Sequence, residues 1–430
     1  MTVTTGVLAA DAAPRRLAGA TPHIERVAAR AADATEAERA VILEEFWADA
    51  ARRGTPLVEA LDGDPDHCAV TFLWRGHRAT RQVLLLAEGL ADPAGLAASR
   101  LSPLPGTDIW HLTYRLRADH RGSYRMASDI SPGEPPASPD LLQRRLLSLS
   151  AHAAPDPLNH RRTPGRWPGA DTSVFELPRA PARAWTERRS GVARGKVERH
   201  RLPAGVLGAE RDVWAYLPPG SREAELPVLV LNDGDMWFGR LAFQDVLDAL
   251  IADGAVPPLA VLAPDSVDRA TRSRELGAPD SHVRFLADEL LPWAAGRWPL
   301  TTDPARTLVA GQGLGGLTSL HAGFRRPERF GKVLAQSAPL SAPSSVALSE
   351  PFAAPFTSPP SRLGDGAFRP VTVRLDVGLR EGAILGHHRD LYETLRSRGC
   401  PVTLNEYNGG HDWACWRACL AEGLVGLLGH

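Results

Sequence analysis

The sequence predicts an α/β protein, in which a domain built on a mostly parallel sheet follows a small N-terminal β-sandwich domain. In the second half of the chain, apolar segments of strand length alternate with segments of helical length, as in a parallel sheet covered by helices. In the first half, several short strand-like segments follow one another without intervening helices, as in a sandwich. The chain has 430 residues, which is long enough for both domains.

We divide the chain into four parts from its composition and periodicity. Residues 1–34 are predicted to be a disordered tail, 35–160 the β-sandwich domain, 161–205 a linker and 206–430 the α/β domain. The linker assignment depends on many prolines and arginines with little hydrophobic periodicity.

Three arginines near the start of the predicted linker allow two interpretations. Arg161, Arg162 and Arg166 could clamp an anionic ligand, or they could be solvated linker charge. We favour the second interpretation, because charged runs without periodicity usually face water.

The predicted β-sandwich domain begins with a helix. Its first residue follows Thr35, where Thr-Glu-Ala-Glu has the spacing of a capping box, and it ends near Gly54. Strands are predicted after it, each with alternating apolar residues between turns rich in Gly, Pro and Asp. They span residues 69–75, 82–86, 108–116 and 122–126.

The predicted α/β domain alternates strands and helices. The strands span residues 211–217, 226–231, 259–263, 307–310, 371–377 and 402–407. The helices between them span residues 241–251, 282–295, 317–323 and 388–398.

Residues 309–317 are the stretch around which this domain is organised, because a short apolar strand passes there through a glycine-rich turn into a helix. The spacing is that of the nucleophile elbow G-x-S-x-G, in which small residues let strand and helix approach closely. The nucleophile position holds Gly313. Dinucleotide-binding loops are also glycine-rich, but they lie near the first βαβ unit, whereas this turn lies late in the chain. The order strand, elbow, helix, strand is that of an α/β-hydrolase.

In an α/β-hydrolase the acid and the histidine of the catalytic triad follow the nucleophile in chain order. The acid is expected after the strand that follows the elbow unit, and Glu381 lies there. Asp376, inside that strand, is the alternative acid. His411 follows the last predicted strand in a Gly-Gly-His-Asp turn, where an acid would orient its imidazole.

An oxyanion hole requires two backbone N–H groups directed at the developing negative charge. Leu314, the residue after the nucleophile position, is predicted to supply one of them. The loop after the first long buried strand is predicted to supply the other, from Asp235 or Met236.

Other side chains do not readily replace the missing hydroxyl. Thr318 and Ser319 lie more than a helical turn beyond the elbow. Ser337 ends a neighbouring strand and Cys415 follows His411 closely, but a packing role is favoured for both.

Composition excludes several functional classes. The 49 basic and 50 acidic residues give no net charge that would favour nucleic acid or an anionic membrane. The four cysteines show no C-x-x-C spacing, so neither a disulfide framework nor a zinc site is indicated. No basic segment followed by an apolar one begins the chain, and no segment is apolar enough to span a bilayer, so we expect a cytoplasmic protein. Oligomeric state stays open.

The motifs together resemble the enterochelin (enterobactin) esterase family, cytoplasmic hydrolases that open the trilactone of iron-loaded catecholate siderophores. The resemblance covers nearly the whole chain, and the last of its matching segments is the most specific. These segments are residues 71–75, 106–110, 121–124, 156–159, 233–237, 274–276, 327–331, 378–381 and 409–417.

The resemblance implies roles for individual residues. His411 would be the catalytic histidine, Glu381 the acid, and Arg274 part of the substrate wall, with Trp237 and Gln312 also assigned to substrate binding. No cofactor is implied, iron being carried only by the siderophore ligand, and no protein metal site has convincing spacing.

Two departures from the family pattern change the expected activity. Gly313 stands where the family has serine, and an aromatic pair that follows Ser337 in the family is missing. We therefore expect a siderophore-esterase-like hydrolase that is slow or has a different ligand. The alternatives are a non-catalytic protein that binds a siderophore or peptide ester, and an acyl-transfer or tailoring enzyme of a biosynthetic pathway.

Overall fold

The computed structural model describes residues 14–17, 19, 21–90, 95–186, 188–220, 225–340 and 371–429. The chain divides into two compact units. The smaller unit contains the described residues of 9–182 together with 408–415, and the larger contains those of 183–407 together with 416–430. The turn that carries His411 is thus grouped with the N-terminal residues, although it lies near the end of the chain.

The smaller unit is mostly antiparallel sheet. Its strands are β1 (Arg15–Arg16), β2 (Leu57–Leu61), β3 (Asp64–Arg75), β4 (Gln82–Ala87), β5 (Ser102–Pro103), β6 (Ile109–Arg117), β7 (Arg121–Asp129), β8 (Arg162–Thr163) and β9 (Thr172–Glu176). Its helices are α1 (Pro22–Ala32), α2 (Glu36–Arg53) and α3 (Pro139–Ser150). A short 3₁₀ turn spans Leu96–Ser99.

Two sheets form the predicted β-sandwich. One has the order β1-β6-β3-β2 with β5 on β6, and the other has the order β4-β7-β9-β8. Apolar side chains from both sheets, among them Phe72, Leu85, Leu112 and Phe175, share one buried cluster. The alternation read in the sequence therefore marks the faces that pack together.

The predicted helix after Thr35 is confirmed, with its capping box. The Thr35 side chain accepts a hydrogen bond from the Glu38 N–H at 3.3 Å, and the Glu38 carboxylate accepts one from the Thr35 N–H at 2.9 Å. The helix ends at Gly54, which adopts a positive φ of 79°. Both ends of the helix are determined by residues adjacent to them in the sequence, so both could be predicted from the sequence.

The predicted disordered tail over 1–34 is wrong where the structure describes it. Residues 1–13 lie outside the described residues, but Pro22–Ala32 form α1. This helix has proline in its first turn and buries Ile24, Val27 and Ala31, which recur on one face of a helix. Because the segment is rich in Ala and Arg, these three buried positions were not recognised in the sequence as one apolar face of a helix.

The predicted linker over 161–205 is also wrong at three places, because the strands Arg162–Thr163, Thr172–Glu176 and Lys196–Ala204 lie within it. Strands β8 and β9 extend the second sheet, since β9 pairs antiparallel with β7. The linker prolines flank these short strands, and proline is tolerated there because such strands are edges or ends of a ladder. The last residues, Lys196–Ala204, form the first strand of the larger unit.

The larger unit is α/β. Its strands are β10 (Lys196–Ala204), β11 (Ala209–Leu217), β12 (Val228–Leu231), β13 (Ala260–Pro264), β14 (Thr307–Gln312), β15 (Lys332–Gln336), β16 (Thr372–Gly378) and β17 (Val402–Tyr407). Its helices are α4 (Gly234–Trp237), α5 (Phe243–Ala252), α6 (Arg269–Gly277), α7 (Asp280–Arg284), α8 (Leu291–Ala295), α9 (Leu314–Arg325), α10 (Ala383–Ser397) and α11 (Trp413–Leu428), the first three residues of α11 being grouped with the smaller unit. A π-helical segment, Phe285–Leu290, joins α7 to α8, and 3₁₀ turns span Gly205–Leu207 and Pro304–Arg306.

The sheet of the larger unit has the order β10-β11-β13-β12-β14-β15-β16-β17. The pairs from β13 onward are parallel, and β10, β11 and β13 are joined by antiparallel pairs, so the predicted mostly parallel sheet is confirmed. Strands β12 and β14 are buried throughout, as expected when helices cover both faces of a sheet.

The parallel register aligns polar residues at the carboxyl ends of the strands. Gln312 of β14 is level with Gln336 of β15, which is level with Asp376 of β16 and then Asn405 of β17. We call these four residues the polar row. Ligand sites of α/β sheets lie at this edge, so the row marks where a site is expected.

The tight contact between β14 and α9 predicts the effect of a single methyl group. A Cβ atom on Gly311 would lie 2.5 Å from the backbone oxygen of Gly315, so neither backbone could stay in place. We expect Gly311→Ala to lower the free energy of unfolding by about 1–3 kcal/mol, the usual cost of overpacking.

Gly386→Ala is the matched control, because Gly386 lies in the exposed part of α10 and a Cβ there meets nothing within 4 Å. It should raise stability by about 0.5–1 kcal/mol through helix propensity. Urea unfolding followed by circular dichroism measures both changes. Equal stabilities of the two variants would contradict the steric argument.

Candidate functional site

The predicted elbow is present between β14 and α9. Gly313 has φ 55° and ψ −122°, a conformation that residues with a side chain rarely adopt, and its N–H donates to the Gln336 carbonyl at 2.9 Å. Gly315 faces Asn232, whose Cβ would be 3.1 Å from a side chain at that position. The strained turn of a nucleophile elbow is thus retained although no hydroxyl is presented.

One predicted oxyanion donor fits its role by position. Leu314 is the first residue of α9, so its N–H has no carbonyl acceptor within the helix. The positive end of the helix dipole also favours negative charge there. This amide is therefore available to a developing oxyanion.

The second donor group lies in α4, which directly follows β12. The Met236 N–H already donates to the Asp233 carbonyl at 3.0 Å, and the Met236 side chain is fully buried. The assignment of Met236 to the oxyanion hole is therefore not supported. Asp235, which precedes it in the same turn, stays the predicted donor.

Arg272 holds the loop of the second donor and was missed from the sequence. Its Nε and Nη2 atoms donate to the two carboxylate oxygens of Asp233, each at 2.8 Å, and Nη2 also lies 3.3 Å from the Gln312 carbonyl. Asp233 is buried with a positive φ of 70°. One guanidinium therefore joins the loop after β12 to the residue before Gly313.

Arg274, the predicted wall residue, lies on another face of α6. Its side chain is 67% exposed, and its nearest charged group is Glu275 at 3.6 Å. Residues two apart on a helix do not face the same way, so Arg272 and Arg274 cannot share a role. Which of the two arginines points into the protein depends on the residue at which α6 begins, and the sequence alone did not establish that residue.

One carboxylate oxygen of Glu381 accepts hydrogen bonds from three donors. Its Oε1 atom accepts hydrogen bonds from the Gly378 N–H at 2.7 Å, the Ser337 hydroxyl at 2.7 Å and the Tyr407 hydroxyl at 3.1 Å. Ser337 in turn accepts from the Trp416 indole at 2.8 Å. These bonds fix the direction of the Glu381 carboxyl group. They also occupy the Ser337 hydroxyl, in line with a packing role for that residue.

Asp376, the alternative acid, is fully buried within the sheet. Its carboxylate accepts from Arg374 Nε at 2.9 Å, Gln336 Nε2 at 3.0 Å and Asn405 Nδ2 at 3.2 Å. Both oxygens are used by the sheet, so the arrangement favours Glu381 as the acid.

Trp237 and Gln312 do not line a ligand surface as assigned from the sequence. Both side chains are buried, and the Trp237 indole N–H donates to Gln312 Oε1 at 2.9 Å. Gln312 Nε2 donates to Gln336 Oε1 at 2.9 Å. Trp237 therefore extends the polar row, to which Gln312 belongs, and both side chains are structural.

His411 is exposed in the turn of residues 408–415. Within the smaller unit this turn is fixed by β7: the Arg121 N–H donates to the Asn408 carbonyl at 3.0 Å, and the Ser123 N–H to Asp412 Oδ2 at 3.1 Å. Burial raises the pKa of Asp412, although backbone N–H groups from Cys415 and Ser123 act against that rise. Glu381 belongs to the larger unit, so its pairing with His411 stays a prediction.

Cys415 is buried, and its sulfur lies 3.5 Å from the Arg121 carbonyl, which supports the packing role preferred for it. Among the described residues, no three His, Cys, Asp or Glu side chains come together as a metal site would require. Within the same residues, no helix is both long and apolar enough to cross a bilayer.

Asp265, at the end of β13, adds a titratable group beside the second donor loop. It accepts from the Trp214 indole at 2.6 Å and from Arg199 at 3.0 Å, and the adjacent Ser266 N–H donates to Asp235 Oδ1 at 3.2 Å. Burial, with the nearby Asp235 charge, raises the pKa of Asp265 to about 6 against the effect of these two donors.

A strained strand-to-helix turn at the centre of a mostly parallel sheet, with a carboxylate following in chain order, defines the larger unit as an α/β-hydrolase. Family models agree, since residues 69–186 match the N-terminal domain of enterochelin esterase and residues 204–427 match the putative esterase family. The chain belongs to the enterochelin esterase family.

Individual relatives are similar over nearly their whole length. The iron(III) enterobactin esterase of Dickeya dadantii is 34% identical over 90% of this chain and 93% of its own. The iron(III) salmochelin esterase of Escherichia coli O6:H1 is 33% identical over the same shares. The structure of the Shigella flexneri enterobactin esterase FES in the presence of enterobactin has a TM-score of 0.76 at 28% identity, covering 89% of this chain and 97% of its own.

The Arg272 contacts predict a large loss of stability when the guanidinium is removed. Arg272→Ala would leave the buried Asp233 carboxylate without its bidentate partner, which typically costs about 3–5 kcal/mol. Arg274→Ala is the matched control, and we expect a change below about 0.5 kcal/mol because that side chain is exposed. Urea unfolding of both variants tests this, and similar midpoints would contradict the assigned role of Arg272.

The raised pKa of Asp265 predicts a pH dependence of stability with a definite sign. Between about pH 4 and 6 the folded protein holds a proton on Asp265 that the unfolded chain has released. The contribution of the neutral carboxyl group to stability is therefore complete below about pH 4 and is lost as the pH rises through about 6. Relative to the protein, Asp265→Asn should therefore become progressively more stable from pH 4 to 6.

The stability of Asp268→Asn relative to the protein should change with pH in the opposite direction, because hydrogen bonds from the Thr271 N–H and hydroxyl lower the pKa of Asp268. Its carboxylate stabilises the fold above the pKa of the unfolded chain, and that contribution falls as the pH drops. Urea titrations at pH 4, 5, 6 and 7 compare the two variants. Parallel pH profiles for all three proteins would refute the Asp265 assignment.

Proposed function

We propose that this protein hydrolyses ester bonds of a trilactone siderophore, or of a related siderophore ester, in its ferric form, so that iron is released in the cytoplasm. Its relatives are named as iron(III) enterobactin and salmochelin esterases, which supports this substrate class. The observation that carries the proposal is the elbow itself, which keeps its strained geometry at Gly313, and the same unit holds Glu381 in place through Ser337 and the Gly378 N–H. A scaffold that only packed would need neither feature.

In the proposed mechanism a water molecule takes the place of the serine hydroxyl at Gly313. His411, oriented by Glu381, removes a proton from this water while its oxygen attacks the ester carbonyl carbon. The oxyanion that forms is stabilised by the amides of Leu314 and Asp235. The tetrahedral intermediate then collapses, the C–O bond to the leaving alcohol breaks, and His411 returns the proton to that alkoxide. The products are a carboxylic acid and an alcohol.

Without a covalent nucleophile, turnover should be slow. Removal of a triad nucleophile in other hydrolases leaves a residual enhancement of ~10³–10⁴ over water from the oxyanion hole and binding. This range sets the rate that the glycine form can reach. The same glycine favours the second candidate function, a protein that binds the siderophore ester without turning it over.

Restoring the hydroxyl tests the proposal directly. We expect Gly313→Ser to hydrolyse ferric and iron-free enterobactin at least about 10³-fold faster than the protein itself, because it regains nucleophilic catalysis. A serine at φ 55° is strained, so this variant should also lose about 1–3 kcal/mol of stability. Product analysis by chromatography, with single-turnover kinetics, measures the gain.

The double variant Gly313→Ser, His411→Ala is the control, and it should lose the gained activity. A burst of acyl-enzyme is expected for Gly313→Ser but not for the protein itself, and a burst from the glycine form would exclude direct attack by water. If both forms bind the siderophore tightly and neither hydrolyses it, the binding function replaces the esterase function.

A further inference from the structure

We propose that Val267 is a specificity-determining residue, which offers an apolar contact to the acyl part of the ester ligand. Val267 belongs to the loop between β13 and α6, in the larger unit. The proposal rests on the proposed function, because it concerns which esters the protein accepts.

The backbone of Val267 has a conformation that valine rarely adopts. Its φ is 65°, and the Asp268 N–H donates to the Ser266 carbonyl at 2.9 Å, so the chain turns within three residues. A branched Cβ makes a positive φ especially unfavourable. Among the non-glycine residues with positive φ in the part of the chain that the structure describes, Val267 is the only β-branched one.

Contacts on both sides of Val267 hold this backbone in place. The Ser266 N–H donates to Asp235 Oδ1 at 3.2 Å, and the Ser266 hydroxyl donates to Asp233 Oδ1. On the other side, Asp268 is the N-cap of α6, and its side chain accepts a backbone N–H of the first helical turn. The strained loop is therefore fastened to a helix and to the loop of the second predicted oxyanion donor.

Positive φ values recur where the parallel strands end. Asp233, Gly313 and Ser337 lie within two residues of the ends of β12, β14 and β15, and their φ values are 70°, 55° and 52°. The side chains of Asp233 and Ser337 are buried and hydrogen-bonded, and Gly313 has no side chain. Val267 differs, because no burial of its side chain offsets the strain. Strain that packing does not explain points to a role in function.

The exposure of Val267 is also unusual for its unit. Its side chain is 60% exposed at the carboxyl edge of the sheet, where ligand sites of α/β sheets lie. The other exposed large apolar side chains of the described residues all lie in the smaller unit, and they are Val41, Val58, Ile130, Leu141 and Leu147. Within the described part of the larger unit, Val267 thus provides the exposed apolar surface at the edge where a ligand is expected.

The chemistry of the loop selects an apolar group. The loop reads Asp-Ser-Val-Asp, and the carboxylates beside it accept hydrogen bonds from protein donors. Val267 is therefore the apolar contact in polar surroundings. An alkyl chain or ring that covers it removes apolar surface of both partners from water, whereas an acetyl group is too short to do so. The contact favours esters with a longer apolar acyl part.

The first test measures whether the residue is kept against the interest of stability. Val267→Gly adopts the positive φ without strain, so we expect its urea midpoint to rise. Val41→Gly is the matched control, because Val41 is a similarly exposed valine within α2, and its midpoint should fall through loss of helix propensity.

The second test measures selectivity in the Gly313→Ser background. The readout is the ratio of kcat/KM for p-nitrophenyl hexanoate to that for p-nitrophenyl acetate. We expect Val267→Gly to lower this ratio by about threefold or more, because the longer acyl chain loses its contact. Val267→Leu should keep the ratio, since it retains apolar surface without a branched Cβ, and Val41→Gly should leave it unchanged.

An unchanged ratio in Val267→Gly, or a urea midpoint that falls as in Val41→Gly, would refute the proposal while the proposed function stands. If Gly313→Ser hydrolyses neither ester, the proposed function fails. Ligand-observed NMR of methyl hexanoate and methyl acetate with the protein as it exists then tests the contact alone. Val267→Gly should reduce the preference for the hexanoate, and an equal preference with and without the side chain would overturn the assignment.

Discussion

The close approach of β14 and α9 is the constraint on which the larger unit depends. Gly311 and Gly315 bring two backbones together where no side chain fits. The Asn232 amide then bridges them from β12, donating to the Ala310 and Gly315 carbonyls at 3.3 Å each. Because the helix starts so close to the strand, the turn between them must take a positive φ, and the first helical amide points at the carboxyl edge of the sheet. This backbone geometry does not depend on which residue occupies the nucleophile position.

The structure shows which features of the chain are local and which are not. The elbow and the capping box of α2 could be predicted from the sequence, because fixed spacings of small or polar residues determine the backbone conformation there. Helix α1 and strands β8 and β9 could not, because their stability comes from partners distant in sequence. Composition alone gave the wrong answer for both segments.

Individual site residues were less predictable than the fold that carries them. The family resemblance assigned Gln312 and Trp237 to substrate binding, but the sequence could not show that their polar atoms form a hydrogen bond with each other in the core. It likewise named Arg274 and missed Arg272, because only the phase of helix α6 shows which of the two points inward. Glu381 and Asp376 also differ in their partners, since Oε1 of Glu381 accepts from neutral donors whereas the Asp376 carboxylate accepts from Arg374 inside the sheet.

The polar row also determines how its own amides are oriented. An indole can only donate and a carboxylate can only accept, so a chain from Trp237 through Gln312 and Gln336 to Asp376 admits one orientation of each carboxamide. Every N–H then points toward Asp376 and every amide oxygen points back toward the indole, so the bond dipoles add along the sheet edge and strengthen one another. The residue just before Gly313 is thereby polarised by a carboxylate two strands away. Neutralising Asp376 would weaken the field next to the elbow, although the donor-only indole at the other end would still fix the orientation of both amides.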